Sequence, residues 1–136
     1  MEFTCGLAAL DDVCDAILKQ LPEGGVVILQ GTLAAGKTTL TQAFARHLGL
    51  DEYVTSPTFS LQQCYGEKLF HYDIYNNGLD HFLALGMLEE LERDGYHLVE
   101  WGDEALARLL KSAAIDTIIV TIEKADDKRV YRISDA

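Results

Sequence analysis

The chain has 136 residues, 49% of them hydrophobic and 24% charged, the proportions of a folded globular protein and not of a disordered polymer; this length fits one compact domain, taken as residues 1–136. Eleven Lys and Arg stand against 22 Asp and Glu, a formal net charge of −11, which excludes broad electrostatic capture of nucleic acid or of an anionic membrane and leaves any contact with RNA to a partner. No apolar run reaches the ~20 residues of a bilayer span, and Met1-Glu2-Phe3-Thr4-Cys5 lacks the basic opening of a signal peptide, so a cytoplasmic location without membrane attachment is expected.

Leu10, Val13, Cys14, Ile17, Leu18 and Leu21 fall on one face of a helix, which the spacing predicts from about Leu7 to Leu21. Pro22-Glu23-Gly24-Gly25 ends it, and Val26-Val27-Ile28-Leu29 suits a central parallel strand buried on both faces. After a glycine-bearing loop, Leu40, Ala43, Phe44 and Leu48 predict a second helix that stops at Gly49. Phe59 to Tyr75 reads as a hairpin turning at Tyr65-Gly66-Glu67-Lys68. Asn76-Asn77-Gly78 is a turn, followed by an acidic helix through Phe82, Leu85, Leu88 and Leu91 that ends near Asp94-Gly95. Tyr96 to Trp101 is a strand, Asp103 caps a helix running through Leu110, and Thr117–Glu123 pairs with Val130–Ile133 across Ala125-Asp126-Asp127-Lys128. The expected fold is a three-layer α/β domain of the P-loop type, its mostly parallel central sheet extended by antiparallel hairpins.

The residues with chemistry begin at Gly31-Thr32-Leu33-Ala34-Ala35-Gly36-Lys37-Thr38, which matches G-x-x-x-x-G-K-[ST] between an apolar strand and an amphipathic helix. Backbone N–H groups of such a loop surround phosphate oxygens, the lysine reaches the β- and γ-phosphates, and the Thr38 hydroxyl is offered to Mg²⁺, with Thr39 beside the α-phosphate. A random chain of this length shows the pattern well under ~1% of the time. A phosphate loop also needs an acid on the magnesium side, usually at a neighbouring strand end, and both His71-Tyr72-Asp73 and Leu98-Val99-Glu100 supply one after apolar residues. Read alone, each is equally an exposed acid at a strand end. Trp101 is suited either to wall a nucleotide site or to pack, and Ser56-Pro57-Thr58-Phe59 is either a loop sensing the γ-phosphate or simply the entry to a strand. His47, His71, His81 and His97 have no recognisable spacing to a nucleophile and are read as packing or surface residues. Cys5, Cys14 and Cys64 show no C-x-x-C spacing, so neither zinc nor a structural disulfide is expected.

Taken in order, the loop from Gly31 to Thr39, Ser56-Pro57-Thr58-Phe59, His71-Tyr72-Asp73-Ile74-Tyr75 and Val99-Glu100-Trp101 resemble the TsaE family of bacterial P-loop ATPases over nearly the whole chain. Thr32, Ala34 and Gly102 depart from that family's usual loop and Glu-Trp-Pro patterns. The resemblance implies a part in making threonylcarbamoyladenosine in tRNAs that read codons beginning with A, as the ATPase working with TsaD and TsaB. It implies that Gly31, Leu33, Ala34, Ala35, Gly36, Lys37, Thr38 and Thr39 bind ATP or ADP. Thr38 and Glu100 would serve Mg²⁺, Asp73 would hold the metal's water shell or orient the attacking water, Trp101 would lie beside the nucleotide, and Ser56 to Phe59 would form a switch-like loop. No arginine adjoins a phosphate motif, and an inserted arginine is worth ~10³ to ~10⁵ in rate, so turnover is expected to be slow alone and faster with partners. Two alternatives stay open: a nucleotide-gated assembly module in which hydrolysis is incidental, and a small-molecule kinase.

Overall fold

A computed structural model describes residues 2–5, 10–31, 37–49, 62–65, 68–73, 83–84, 86–100, 104–125 and 128–135. Its elements are β1 (Glu2–Cys5), α1 (Leu10–Gln20), β2 (Gly25–Gln30), α2 (Lys37–His47), β3 (Gln62–Tyr65), β4 (Leu69–Asp73), α3 (Met87–Leu91), β5 (Tyr96–Glu100), α4 (Glu104–Ser112), β6 (Thr117–Ala125) and β7 (Lys128–Asp135). The strands form one sheet in the order β1-β7-β6-β2-β5-β4-β3. Its centre, β6-β2-β5-β4, is parallel, while β7, β1 and β3 are added antiparallel.

The unbroken apolar run of β2 is explained by two cores, one on each face of the sheet. Val27 and Leu29 pack with Leu98 of β5, Leu69 of β4 and Ile118, Val120 and Ile122 of β6 beneath α1 and α2. Val26 and Ile28 face the other way, with Phe70, Tyr72, Val99, Leu91 of α3 and Leu106, Ala107 and Leu110 of α4. No helix among the described residues is long and apolar enough to cross a membrane. Cys14 lies in the first core, where burial, with smaller contributions from Asp11 and Asp15, pushes its thiol up to about 12 and leaves it unreactive at neutral pH.

Most predicted elements are present, and the departures have local causes. α1 starts at Leu10 and buries Leu10, Val13, Cys14 and Ile17 of the stripe read from the spacing, with Ala16 beside them, Leu21 buried just past the helix and Leu18 half-buried, while residues 7–9 lie outside the described ones. The acidic helix is interrupted where its leucine spacing predicts continuity: Leu83 and Ala84 are helical, Gly86 takes a left-handed conformation at φ +74°, and the helical path restarts as Met87–Leu91. β1 was not expected, because four residues carry too little periodicity to register. Its state comes from pairing, Glu2 opposite Arg132 through Cys5 opposite Arg129 on β7.

The amino ends of the parallel strands are held by close backbone approach. Gly25 N–H donates to the Gly95 carbonyl at 3.0 Å and Tyr96 N–H to the Lys68 carbonyl at 2.7 Å. Gly95 has φ +123°, and a Cβ there would come within 2.6 Å of the Lys68 carbonyl oxygen. Only glycine allows β2, β5 and β4 to start level with one another, which brings their carboxyl ends level as well.

Candidate active site

The site is built at the carboxyl end of β2. Gly31 follows the strand at φ +154°, a backbone conformation that side-chain-bearing residues rarely adopt. Lys37 opens α2, with Thr38 and Thr39 in the same first turn. That turn contains no acidic residue, whereas Arg46 and His47 sit in the last one, so the positive end of the helix dipole is not neutralised by its own side chains. The arrangement of strand, glycine turn and helix N-terminus is what an anion site requires. Thr32, Leu33, Ala34, Ala35 and Gly36 lie outside the described residues, as do Ser56, Pro57, Thr58, Phe59 and Trp101.

Topology brings the two acids into one row at the carboxyl ends of the strands beside β2. From β2 the chain passes through α2, on the face of the first core, toward β4; from the adjacent β5 it passes through α4, on the opposite face, to β6. The two connections diverge between β2 and β5, and a crevice at such a divergence, outside the carboxyl ends of the strands, is where open α/β sheets bind ligands. Within the sheet, Leu29 of β2 pairs with Glu100 of β5, and Glu100 pairs with Asp73 of β4. Residues separated by 27 positions therefore occupy one row, immediately beside the strand that leads to Gly31.

Glu100 is 3% exposed, unlike the solvated strand-end acid that its position alone allows. Its Oε2 is in hydrogen-bond contact with Nε2 of His71, which is fully buried. His71 lies on the same face of β4 as Leu69 and pairs with Leu98, two residues before the row of Glu100. Sequence reading missed this histidine. The available signal was an i, i+2 pair of polar residues, His71 and Asp73, on one face of an otherwise apolar strand.

The remaining histidines fit structural roles where they are described. His47 at the end of α2 meets Asp15 of α1 at 2.7 Å. His97 is buried against residues of the second core, stacked on Phe70 with ring centroids 4.7 Å apart, and the Arg93 guanidinium carbon lies over that phenyl ring, 4.8 Å from its centroid. Its Nε2–H donates to the Arg93 carbonyl at 2.8 Å and its Nδ1 accepts from the Tyr72 hydroxyl at 2.7 Å, which defines one neutral tautomer. Burial lowers its pKa below the usual histidine range. A cavity of about 720 Å³ bordered by Pro22, Leu48, Lys68, Asp94 and Tyr96 opens at the amino ends of the strands, away from the phosphate-type turn.

This doubly covered α/β sheet, with the sequence Gly-x-x-x-x-Gly-Lys-Thr between a central strand and a helix, is a P-loop fold. A family model described as threonylcarbamoyl adenosine biosynthesis protein TsaE matches residues 6–132, and the chain belongs to that family. It is 41% identical over 92 residues to the tRNA threonylcarbamoyladenosine biosynthesis protein TsaE of Treponema pallidum, covering 65% of this chain and 68% of the relative. To the protein of the same name in Bacillus subtilis it is 42% identical over 81 residues, covering 57% of this chain and only 51% of the relative, about half its length. The crystal structure of Bacillus subtilis YdiB superposes with a TM-score of 0.67 at 27% identity, over 99% of this chain and 84% of that one.

Proposed function

We propose that residues 1–136 act as one ATPase domain, the ATP-binding and hydrolysing subunit of the bacterial machinery that makes threonylcarbamoyladenosine in tRNAs reading codons that begin with A, working in the cytoplasm with TsaD and TsaB. The observation that carries the ATPase reading is the row Leu29–Glu100–Asp73, which sets a buried carboxylate beside the strand leading to Gly31. The relatives' printed names support the pathway.

In this reading the N–H groups from Gly31 to Thr39 hold the phosphates of ATP, the Lys37 ammonium offsets charge on the β- and γ-phosphates, and the Thr38 hydroxyl and the Glu100 carboxylate serve magnesium. The donor set is all oxygen, as a magnesium site built largely from substrate phosphates and one or two protein groups requires. Magnesium, when bound, neutralises negative charge on the phosphates. Asp73 holds the metal's water shell or orients the attacking water, Trp101 borders the nucleotide and Ser56-Pro57-Thr58-Phe59 responds to the γ-phosphate. With a net charge of −11 the chain leaves tRNA contact to TsaD and TsaB.

Phosphate release from ATP and magnesium, measured for this chain alone and with TsaD and TsaB, tests the proposal. Slow turnover alone, acceleration by the partners and loss of both in Lys37→Ala are expected. Fast hydrolysis that ignores the partners, or phosphate passed to a small-molecule acceptor, would overturn it.

A further inference from the structure

The His71–Glu100 contact is an uncommon use of core space. His71 lies in register with Leu98 and on the same strand face as Leu69, at a level where apolar side chains fill the core beneath α1 and α2. An aliphatic residue would satisfy packing there without burying two ring nitrogens. Of those nitrogens, Nδ1 has no hydrogen-bond partner among the described residues, an unfavourable feature for a fully buried group. The polar contact that the ring does make is Nε2 to Oε2 of Glu100. A carboxylate only accepts, so Nε2 carries the proton and donates it.

We propose that His71 is a positioning residue for Glu100, holding Oε2 so that the carboxylate is presented in one orientation at the carboxyl end of β5. The inference rests on the reading of Glu100 as the magnesium-side carboxylate. A glutamate has three rotatable side-chain bonds, and a fixed donor on one oxygen restricts them before any ligand arrives, as outer-shell partners do in metal sites. The loop amides and Lys37 lie on other elements, so phosphate binding without metal does not depend on His71. Its effect is confined to the magnesium-dependent part of nucleotide binding.

Binding of a fluorescent ATP analogue to the full chain, titrated with magnesium and repeated in EDTA, separates the two contributions. His71→Ala is expected to raise the magnesium concentration for half-maximal binding by about tenfold or more, the scale for loss of an outer-shell partner, with affinity in EDTA unchanged. His71→Gln, whose amide nitrogen reaches the place of Nε2, should restore the midpoint to within a few-fold. Should His71→Ala fail to fold, His71→Asn, whose amide stops short, replaces it and should shift the midpoint where His71→Gln does not. An unchanged midpoint, equal weakening with and without magnesium, or no rescue by glutamine would overturn the positioning role. A Glu100→Gln control distinguishes the two levels: if it shifts the midpoint while the His71 variants do not, only the positioning role fails. If Glu100→Gln also leaves the midpoint unchanged, the magnesium-side reading of Glu100 fails, and the positioning role with it.

Discussion

Substituting Glu100 in two ways separates what its burial does for the fold from what its charge does for the site. In Glu100→Ala the His71 Nε2–H, fully buried, loses its acceptor, a cost of about 1–3 kcal/mol for an unsatisfied buried donor. Removal of the buried Cγ methylene adds about 0.8 kcal/mol, giving a total of roughly 2–4 kcal/mol. For a domain of this size, with each kcal/mol worth about 2–8 °C, the midpoint of thermal unfolding should fall by about 10 °C. Glu100→Gln keeps an acceptor oxygen in the same place and removes a charge that is expensive to bury, so its stability should stay within about 1 kcal/mol of the parent. Urea unfolding followed by circular dichroism measures both. The reasoning is refuted if Glu100→Ala costs less than about 1 kcal/mol, since the buried pair would then not exist in solution. It is equally refuted if Glu100→Gln is the more damaging of the two. Phosphate release on the same proteins adds the functional arm: the stable glutamine variant should still lose most magnesium-dependent turnover, because it keeps the hydrogen bond and lacks the charge.

Other expectations follow from backbone geometry and burial. Gly95→Ala puts a Cβ within 2.6 Å of the Lys68 carbonyl at a φ of +123° and should cost about 3 kcal/mol or more, measured as a lower urea midpoint; a loss under about 1 kcal/mol would show that β4 and β5 are not locked there. Ala114 is an exposed non-glycine at φ +60°, just past the end of α4, where Ala114 N–H donates to the Lys111 carbonyl and Ile115 N–H to the Leu110 carbonyl. Ala114→Gly relieves about 1–2 kcal/mol of left-handed strain against about 0.4–1 kcal/mol of added chain entropy in the unfolded state, so a gain of about 0.5–1 kcal/mol is expected; a lower melting temperature contradicts it. His97 is held neutral with its pKa lowered by burial, so below its ordinary pKa near 6.5 the unfolded chain binds a proton that the fold refuses. Its contribution is complete above that pH and shrinks as the pH falls toward its lowered native value. The fall in urea midpoint from pH 7.5 to pH 5 should therefore be smaller in His97→Gln than in the parent chain.

Much of this protein was legible in one dimension because the signals are local. The G-x-x-x-x-G-K-T run between an apolar strand and an amphipathic helix is contiguous, and so is the two-faced burial implied by Val26-Val27-Ile28-Leu29. The terminal hairpin is legible for the same reason, with Ala125 pairing Lys128 across the predicted turn. Helix α1 follows from a stripe whose spacing is set by 3.6 residues per turn. What one dimension left open depends on partners distant in the chain. β1 is a strand through β7, more than 120 residues away, and no property of Glu2–Cys5 by itself requires it. The acidic helix is interrupted at Gly86, whose φ of +74° the leucine spacing does not announce.

The same division holds at the candidate site. Sequence by itself determined which residue types occur, two acids at strand ends and a phosphate-type turn, together with the family pattern that relates them. Only the tertiary structure decided that β5 lies between β2 and β4, which brings Glu100 level with Asp73 and beside the strand leading to Gly31. It also decided that His71, unremarkable in the chain, meets Glu100 in a water-excluded core. Strand order and register come from long-range pairing and from burial on both faces, and neither leaves a periodic trace in any single segment.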